Sequence, residues 1–156
     1  MASLDLLEDC TFEQLNEMYR EGEKPDREDL DGDFEGGVPA VSSESLLGML
    51  SKPTSLLSSF GVLPWSGKSF SSDAESGRNR ILDRLDVAPF EVREGRSNLD
   101  GESCLVLDYS IEGNPFLFDF IRDEVRAIDD GVLLGQMYFT PTSELVLYFS
   151  LERSTS

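Results

Sequence analysis

Two periodicities divide the chain. From Thr11 to Tyr19 the apolar residues Phe12, Leu15, Met18 and Tyr19 recur at helical spacing, and Thr11 with Gln14 three places on has the form of a capping box. Gly22 and Pro25 then end the helix. The turn residues of Leu30 to Gly37 lead into a short strand ending near Val41. Ser43 to Leu50 reads as a second helix, with Leu46, Leu47 and Leu50 on one side. Pro53 interrupts it before another apolar turn at Leu56, Leu57 and Phe60.

After Pro64 the period falls to two. The spacing predicts strands at Lys68–Ser72, Asn79–Leu85, Pro89–Arg93, Ser103–Ile111, Phe118–Ile128, Val132–Thr140 and Glu144–Leu151, with turn signals between them. Leu105, Leu107, Tyr109 and Ile111 share one strand face, as do Leu145, Leu147, Phe149 and Leu151. With the strand over Asp33–Val41 the count reaches eight, which closes an antiparallel barrel wide enough for packed side chains or one small ligand. The expected fold is therefore mainly β. It is a single domain over residues 1–156, with an acidic helical segment over 1–29 and a barrel over 30–152 carrying a helical insertion at 43–60.

Charge changes the picture next. The chain has 31 acidic and 13 basic residues, for a formal charge of −18. Thirteen of the acids lie within residues 1–35. This balance excludes a duplex-DNA or RNA partner, which requires a basic face. The acidic front reads as a solvated face, with docking of a basic protein partner as the alternative. There is no His, so a His-based triad, His-ligated zinc and His-ligated haem are closed off. Met1 to Glu8 has neither a basic nor an apolar signal-peptide region, and no apolar run approaches the roughly 20 residues of a membrane helix. A cytoplasmic protein without a cofactor is expected.

Two motif-like stretches fail on detail. Asp29-Leu-Asp31-Gly-Asp33 alternates acids like a calcium loop, but Phe34 and Ala40 occupy the places that require Gly and Glu. Gly67-Lys68-Ser69 imitates the end of a phosphate loop, but Val62 stands where that loop needs Gly. Cys104 lies in an apolar strand and reads as core. The thiolate of Cys10 is disfavoured by Glu8 and Asp9.

The segment Ile121 to Ile128 alternates Arg122, Glu124 and Arg126 on one face with Ile121, Asp123, Val125 and Ala127 on the other. The charged row is either an exposed ladder or a polar lumen that fixes the head group of an apolar ligand. Asp123 is the outlier in its apolar row, and Asp108 interrupts its own strand similarly. If their strands pair, Asp108 and Asp123 with Arg122 would make a group that can activate water without His.

The order Leu30-Asp31-Gly32-x-Phe34-x-Gly36, Pro64-Trp65-x-Gly67-Lys68-x-Phe70, Leu107-Asp108-Tyr109, Asn114-Pro115, Arg122-Asp123-Glu124-x-Arg126, Leu133-Leu134-Gly135 and Phe149-Ser150-Leu151-Glu152 resembles a group of uncharacterised bacterial proteins with a calycin-like barrel. The resemblance implies a small closed barrel related in shape to lipocalins and fatty-acid-binding proteins, which carry apolar ligands. The lipocalin Gly-x-Trp signature is absent, since Leu63 stands two places before Trp65. The leading expectation is thus a small apolar or amphipathic ligand inside the barrel. Trp65, Tyr109, Met137 and Phe149 are its expected lining, and Lys68, Arg122 and Arg126 its expected head-group partners. Binding is favoured over the alternative, an enzyme using Asp108, Asp123 and Arg122 on a hydrophobic substrate.

Overall fold

A computed structural model describes residues 4–42, 44–45, 65–82 and 85–154. Short helix α1 (Leu4–Leu7) and helix α2 (Phe12–Glu21) precede eight strands: β1 (Gly32–Val41), β2 (Trp65–Phe70), β3 (Ser76–Ile81), β4 (Leu85–Arg96), β5 (Ser103–Asp108), β6 (Ile121–Asp129), β7 (Val132–Phe139) and β8 (Glu144–Arg153). Each strand pairs antiparallel with the next, and β8 returns to β1, closing the barrel in chain order. The eight-stranded antiparallel barrel expected from the alternation is therefore the fold. The expected helical insertion at 43–60 falls almost wholly outside the described residues.

The strand expected over Asn79–Leu85 ends at Ile81, because Leu82 turns the chain at φ 56°, and the strand expected from Pro89 starts already at Leu85. Two further differences have local causes. The strand expected from Phe118 begins only at Ile121, because Pro115 opens a 3-10 turn over Phe116–Phe120. The strand expected to reach Ile111 stops at Asp108. There the carboxylate accepts the backbone N–H of Ser110 at 2.9 Å and turns the chain.

Helix α2 starts as the capping box requires. Thr11 Oγ1 accepts from Gln14 N at 3.1 Å, and Gln14 Oε1 accepts from Thr11 N at 2.8 Å. Its Leu15 and Tyr19 are fully buried against Val132, Leu134 and Tyr148 on the outer wall of β7 and β8. That part of the wall is apolar on both faces, since Leu147, Phe149 and Leu151 face the lumen while Val146 and Tyr148 face outward.

The barrel has unlike ends. At one, the chain between α2 and β1 forms a strap. Glu23 pairs with Ala127 through backbone bonds of 3.0 and 2.7 Å, and Arg27 donates to the carbonyls of Ala74 (3.0 Å) and Val92 (3.1 Å). Leu30 and Phe34 fill the lumen beneath, and the Arg153 guanidinium caps the Phe34 ring at 4.9 Å. Among the described residues, the other end carries the start of β2, Leu82 after β3, the Phe116–Phe120 turn and the β7–β8 turn. There the lumen-facing Trp65, Val87, Phe120, Met137 and Leu147 are only partly buried, and the neighbouring Phe116 is 72% exposed.

Candidate functional site

Inside this apolar barrel sits one polar cluster, and backbone irregularities place it. Trp65 and Lys68 are three residues apart and would project to opposite faces of a regular strand. A bulge in the β2–β3 pairing at Gly67 brings both inward. Gly67 has φ +146°, and a Cβ there would lie 2.0 Å from the carbonyl oxygen of Phe34, so only glycine fits. A second irregularity interrupts the β3–β4 register between Gly77 and Asn79. Ala88 there adopts φ 49°, and its carbonyl accepts from Asn79 Nδ2 at 3.1 Å. Left-handed geometry at a non-glycine residue costs about 1–2 kcal/mol, and here it aims a carbonyl at the cluster.

Four side chains meet in the half of the barrel nearer the apolar end. Lys68 Nζ donates to Asn79 Oδ1 (2.7 Å), Tyr109 Oη (2.7 Å) and Asp123 Oδ2 (3.2 Å). Tyr109 donates to Asp123 Oδ2 at 2.9 Å, and Asn79 Nδ2 donates to Tyr109 Oη at 3.0 Å. The indole N–H of Trp65 reaches Asn79 Oδ1 at 3.0 Å. Every donor of the ammonium is thus used. The other carboxylate oxygen, Asp123 Oδ1, is buried and without a hydrogen-bond partner.

The ammonium is also caged by rings. Its distances to the ring centroids are 5.0 Å for Phe149, 5.2 Å for Phe90, 5.4 Å for Tyr109 and 5.6 Å for Trp65, all within cation–π range. Three of these rings pack directly against glycines. A Cβ at Gly36, Gly77 or Gly135 would come within 2.1–2.5 Å of the Trp65, Phe90 or Phe149 ring respectively. The loop after β5 fixes the fourth, because Asn114 Nδ2 donates to the carbonyls of Tyr109 (2.9 Å) and Pro89 (2.7 Å).

Burial dominates the electrostatics. It pushes the Lys68 ammonium below its ordinary range, against the pull of Asp123. It pushes the Asp123 carboxyl up, against Lys68 and Tyr109, and the Tyr109 phenol up as well, reinforced by Asp123. All three directions favour the neutral forms, against the mutual attraction of the Lys68 ammonium and the Asp123 carboxylate.

Of the residues singled out in the sequence, Trp65, Lys68, Tyr109, Asp123 and Phe149 come together here. Met137 is the register partner of Asp123 and packs against the same lumen core. Arg122 and Arg126 do not line the lumen. Their row faces the outer wall, where Arg122 pairs with Glu124 at 2.7 Å and Arg126 with Asp100 at 2.7 Å. Asp108 is also on the outer wall. It accepts from Arg93 at 2.8 Å, and although partial burial works to raise its pKa, the bonds from Ser110 and Arg93 hold it low. Asp108 and Asp123 thus lie on opposite faces, and the carboxylate pair with Arg122 is not assembled. Cys104 is buried in the wall beneath α2, with its thiol pushed up to about 11 by burial.

Asn79 was missed by the sequence reading. The available signal was an amide sharing a strand face with Gly77 and Ile81, where an apolar residue is expected. Two acids of the calcium-like stretch, Asp31 and Asp33, have separate partners. Asp33 accepts from Ser69 Oγ at 2.8 Å and pairs with Arg80 at 3.1 Å, while Asp31 lies 3.8 Å from Arg153.

No family model matches the chain, and no curated protein matches it. Among solved structures the chain is similar to a protein from Thermomonospora curvata. The match covers 93% of this chain and 88% of that one, with a TM-score of 0.59 and 21% identity. That likeness supports the barrel architecture. No helix among the described residues is long and apolar enough to cross a membrane.

Proposed function

We propose that the barrel binds a small amphipathic molecule, its apolar body against the partly buried residues near the start of β2 and its polar head at the Lys68–Asp123 cluster. The observation that carries this is the unpartnered buried oxygen Asp123 Oδ1. An unsatisfied carboxylate oxygen costs of order 1–3 kcal/mol, and a ligand head that donates a hydrogen bond recovers it. The partly buried row Trp65, Val87, Phe120, Met137 and Leu147 supplies an apolar approach to that oxygen. Costly backbone at Ala88 and an obligatory glycine at Gly67 both serve the cluster, which favours a functional role over a packing accident. A calycin-like kinship agrees with this reading, since such barrels carry apolar ligands.

Trp65 is the only tryptophan, and its indole bonds to the cluster, so its fluorescence reports on the site. Titration with decanol, decylamine and decanoate is expected to perturb that signal for the two heads that donate hydrogen bonds. Decanoate, which brings a second carboxylate against Asp123, is expected to bind at least about tenfold more weakly. Identical affinities for all three would remove the role of Asp123 Oδ1. No response to any of them would remove the binding function.

A further inference from the structure

We infer that Lys68 forms a covalent, reversible imine with ligands that carry an aldehyde or ketone, with Asp123 as its proton partner and counter-ion. The inference rests on the proposed binding site and names its substrate class.

The geometry provides each requirement of the reaction. The nucleophile is a lysine 2% exposed and caged by four rings, where burial disfavours the charged ammonium. A proton acceptor, Asp123 Oδ2, stands 3.2 Å from Nζ. Tyr109 Oη lies 2.7 Å from Nζ and 2.9 Å from Asp123 Oδ2, so the carboxyl stays oriented whichever group holds the proton. The remaining oxygen, Asp123 Oδ1, is unengaged and can reach the carbonyl oxygen of a ligand.

The chemistry balances within these groups. Lys68 gives one proton to Asp123, and the free amine adds to the carbonyl carbon while the C=O π pair moves to oxygen. Asp123 protonates that oxygen and takes a proton from nitrogen, leaving a neutral carbinolamine. Asp123 then protonates the hydroxyl, the C–O bond breaks, water departs and the nitrogen pair forms C=N. The product is a protonated imine facing an Asp123 carboxylate, so the charges equal those of the starting pair and no oxidant or reductant is consumed. The final ion pair replaces the Lys68–Asp123 contact with one of the same charge.

The test uses the full-length protein with decanal and benzaldehyde, each beside its alcohol, under sodium cyanoborohydride followed by peptide mass spectrometry. Lys24, Lys52 and Lys68 are the only lysines, so adducts are readily assigned. The expected result is an adduct of the aldehyde mass less one oxygen on Lys68, at least about tenfold above that on Lys24. Excess decanol should suppress it, and Lys68→Arg should abolish it. Asp123→Asn, which keeps Lys68 in place, should slow its formation about 100-fold. Should Lys68→Arg fail to fold, decanol protection and the Asp123→Asn rate decide the matter. Alcohols that perturb Trp65 without any aldehyde adduct on Lys68 overturn the imine and leave the binding site standing. Adducts spread equally over the three lysines also overturn it. If neither alcohols nor aldehydes perturb Trp65 and Lys68 stays unmodified, the imine and the binding site fall together.

Discussion

The barrel buries two polar clusters, one on each side of the same strand β6, and they are built to different standards. On the outer wall, under α2, Arg126 makes a two-pronged contact with Asp100 (2.7 and 2.8 Å) and donates to the carbonyls of Ser103 and Tyr19 at 3.0 Å each. Glu124 accepts from Asn98 N (3.0 and 3.2 Å) and Arg122 Nε (2.7 Å), and Gln136 links Tyr138 and Tyr148 at 2.9 and 2.8 Å. All three guanidinium nitrogens of Arg126 and both carboxylate oxygens of Glu124 have partners there. The Tyr19 hydroxyl has no hydrogen-bond partner but lies beside Ser97 and Cys104. On the inner wall, one residue away, Asp123 keeps an oxygen in reserve, and its surroundings need two bulges, a left-handed Ala88 and three glycines under rings. A buried charge whose bonds are all spent fastens structure together. One with capacity left over, held by strained backbone, is equipped to meet a ligand.

The comparison breaks most sharply at Arg126. Arg126→Ala should cost about 3–5 kcal/mol, because it strands Asp100 and frees two carbonyls beneath α2, and urea unfolding measures the loss. A loss below about 1 kcal/mol would mean the outer cluster is not a fastening. The inner pair should behave in the opposite sense. Replacing Lys68 with Met and Asp123 with Leu together should leave stability unchanged or raise it by about 1–3 kcal/mol, while ligand response at Trp65 disappears. A large destabilisation would make the inner cluster structural as well.

Smaller changes sharpen the contrast. Gly36→Ala puts a Cβ 2.4 Å from the Trp65 ring and should cost about 1–3 kcal/mol with a shift in Trp65 emission. An unshifted spectrum would show that the ring does not rest on that glycine. Ala88→Gly should stabilise by up to about 1 kcal/mol, since relief of left-handed backbone exceeds the added freedom of the unfolded chain. Acid gives the smallest effect. The Arg126 guanidinium bonded to Asp100 holds that carboxyl below its ordinary 3.8. Its contribution is therefore complete above 3.8 and lost as pH falls through the native value. Asp100→Asn should flatten that part of the stability profile, and an unchanged slope would assign it to other carboxylates.

Much of this was legible in the chain. Period-two runs between turn residues give the number of strands and place most of them, the exception being Asn79–Leu85, which crosses the turn after Ile81; the capping box places α2, because both signals are local. Strand β6 shows where legibility stops. Its charged row Arg122, Glu124, Arg126 and its apolar row with Asp123 each qualify as lumen or exterior. Helix α2, more than a hundred residues away in sequence, covers Arg126, the turn at Asn98 covers Glu124, and Arg122 stays partly exposed, so the row is neither an exposed ladder nor a lumen. Lys68 and Trp65 were legible as candidates, but their common orientation depends on a bulge that no alternation encodes. Asn79, placed at the start of an expected strand between Arg78 and Arg80, carried no signal of an inward-facing polar role.

By itself, the sequence determined the strand count, the antiparallel order, the start of the helix and the exclusion of His-based chemistry. These follow from nearest-neighbour sterics, turn chemistry and composition, which act within a few residues. The tertiary structure decided which carboxylate faces the lumen, which is spent in an outer ion pair, and which ammonium the aromatic rings enclose. Those assignments depend on register, bulges and the covering helix. Each depends on contacts between segments far apart in the chain, where a shift of one residue turns every side chain to the other face.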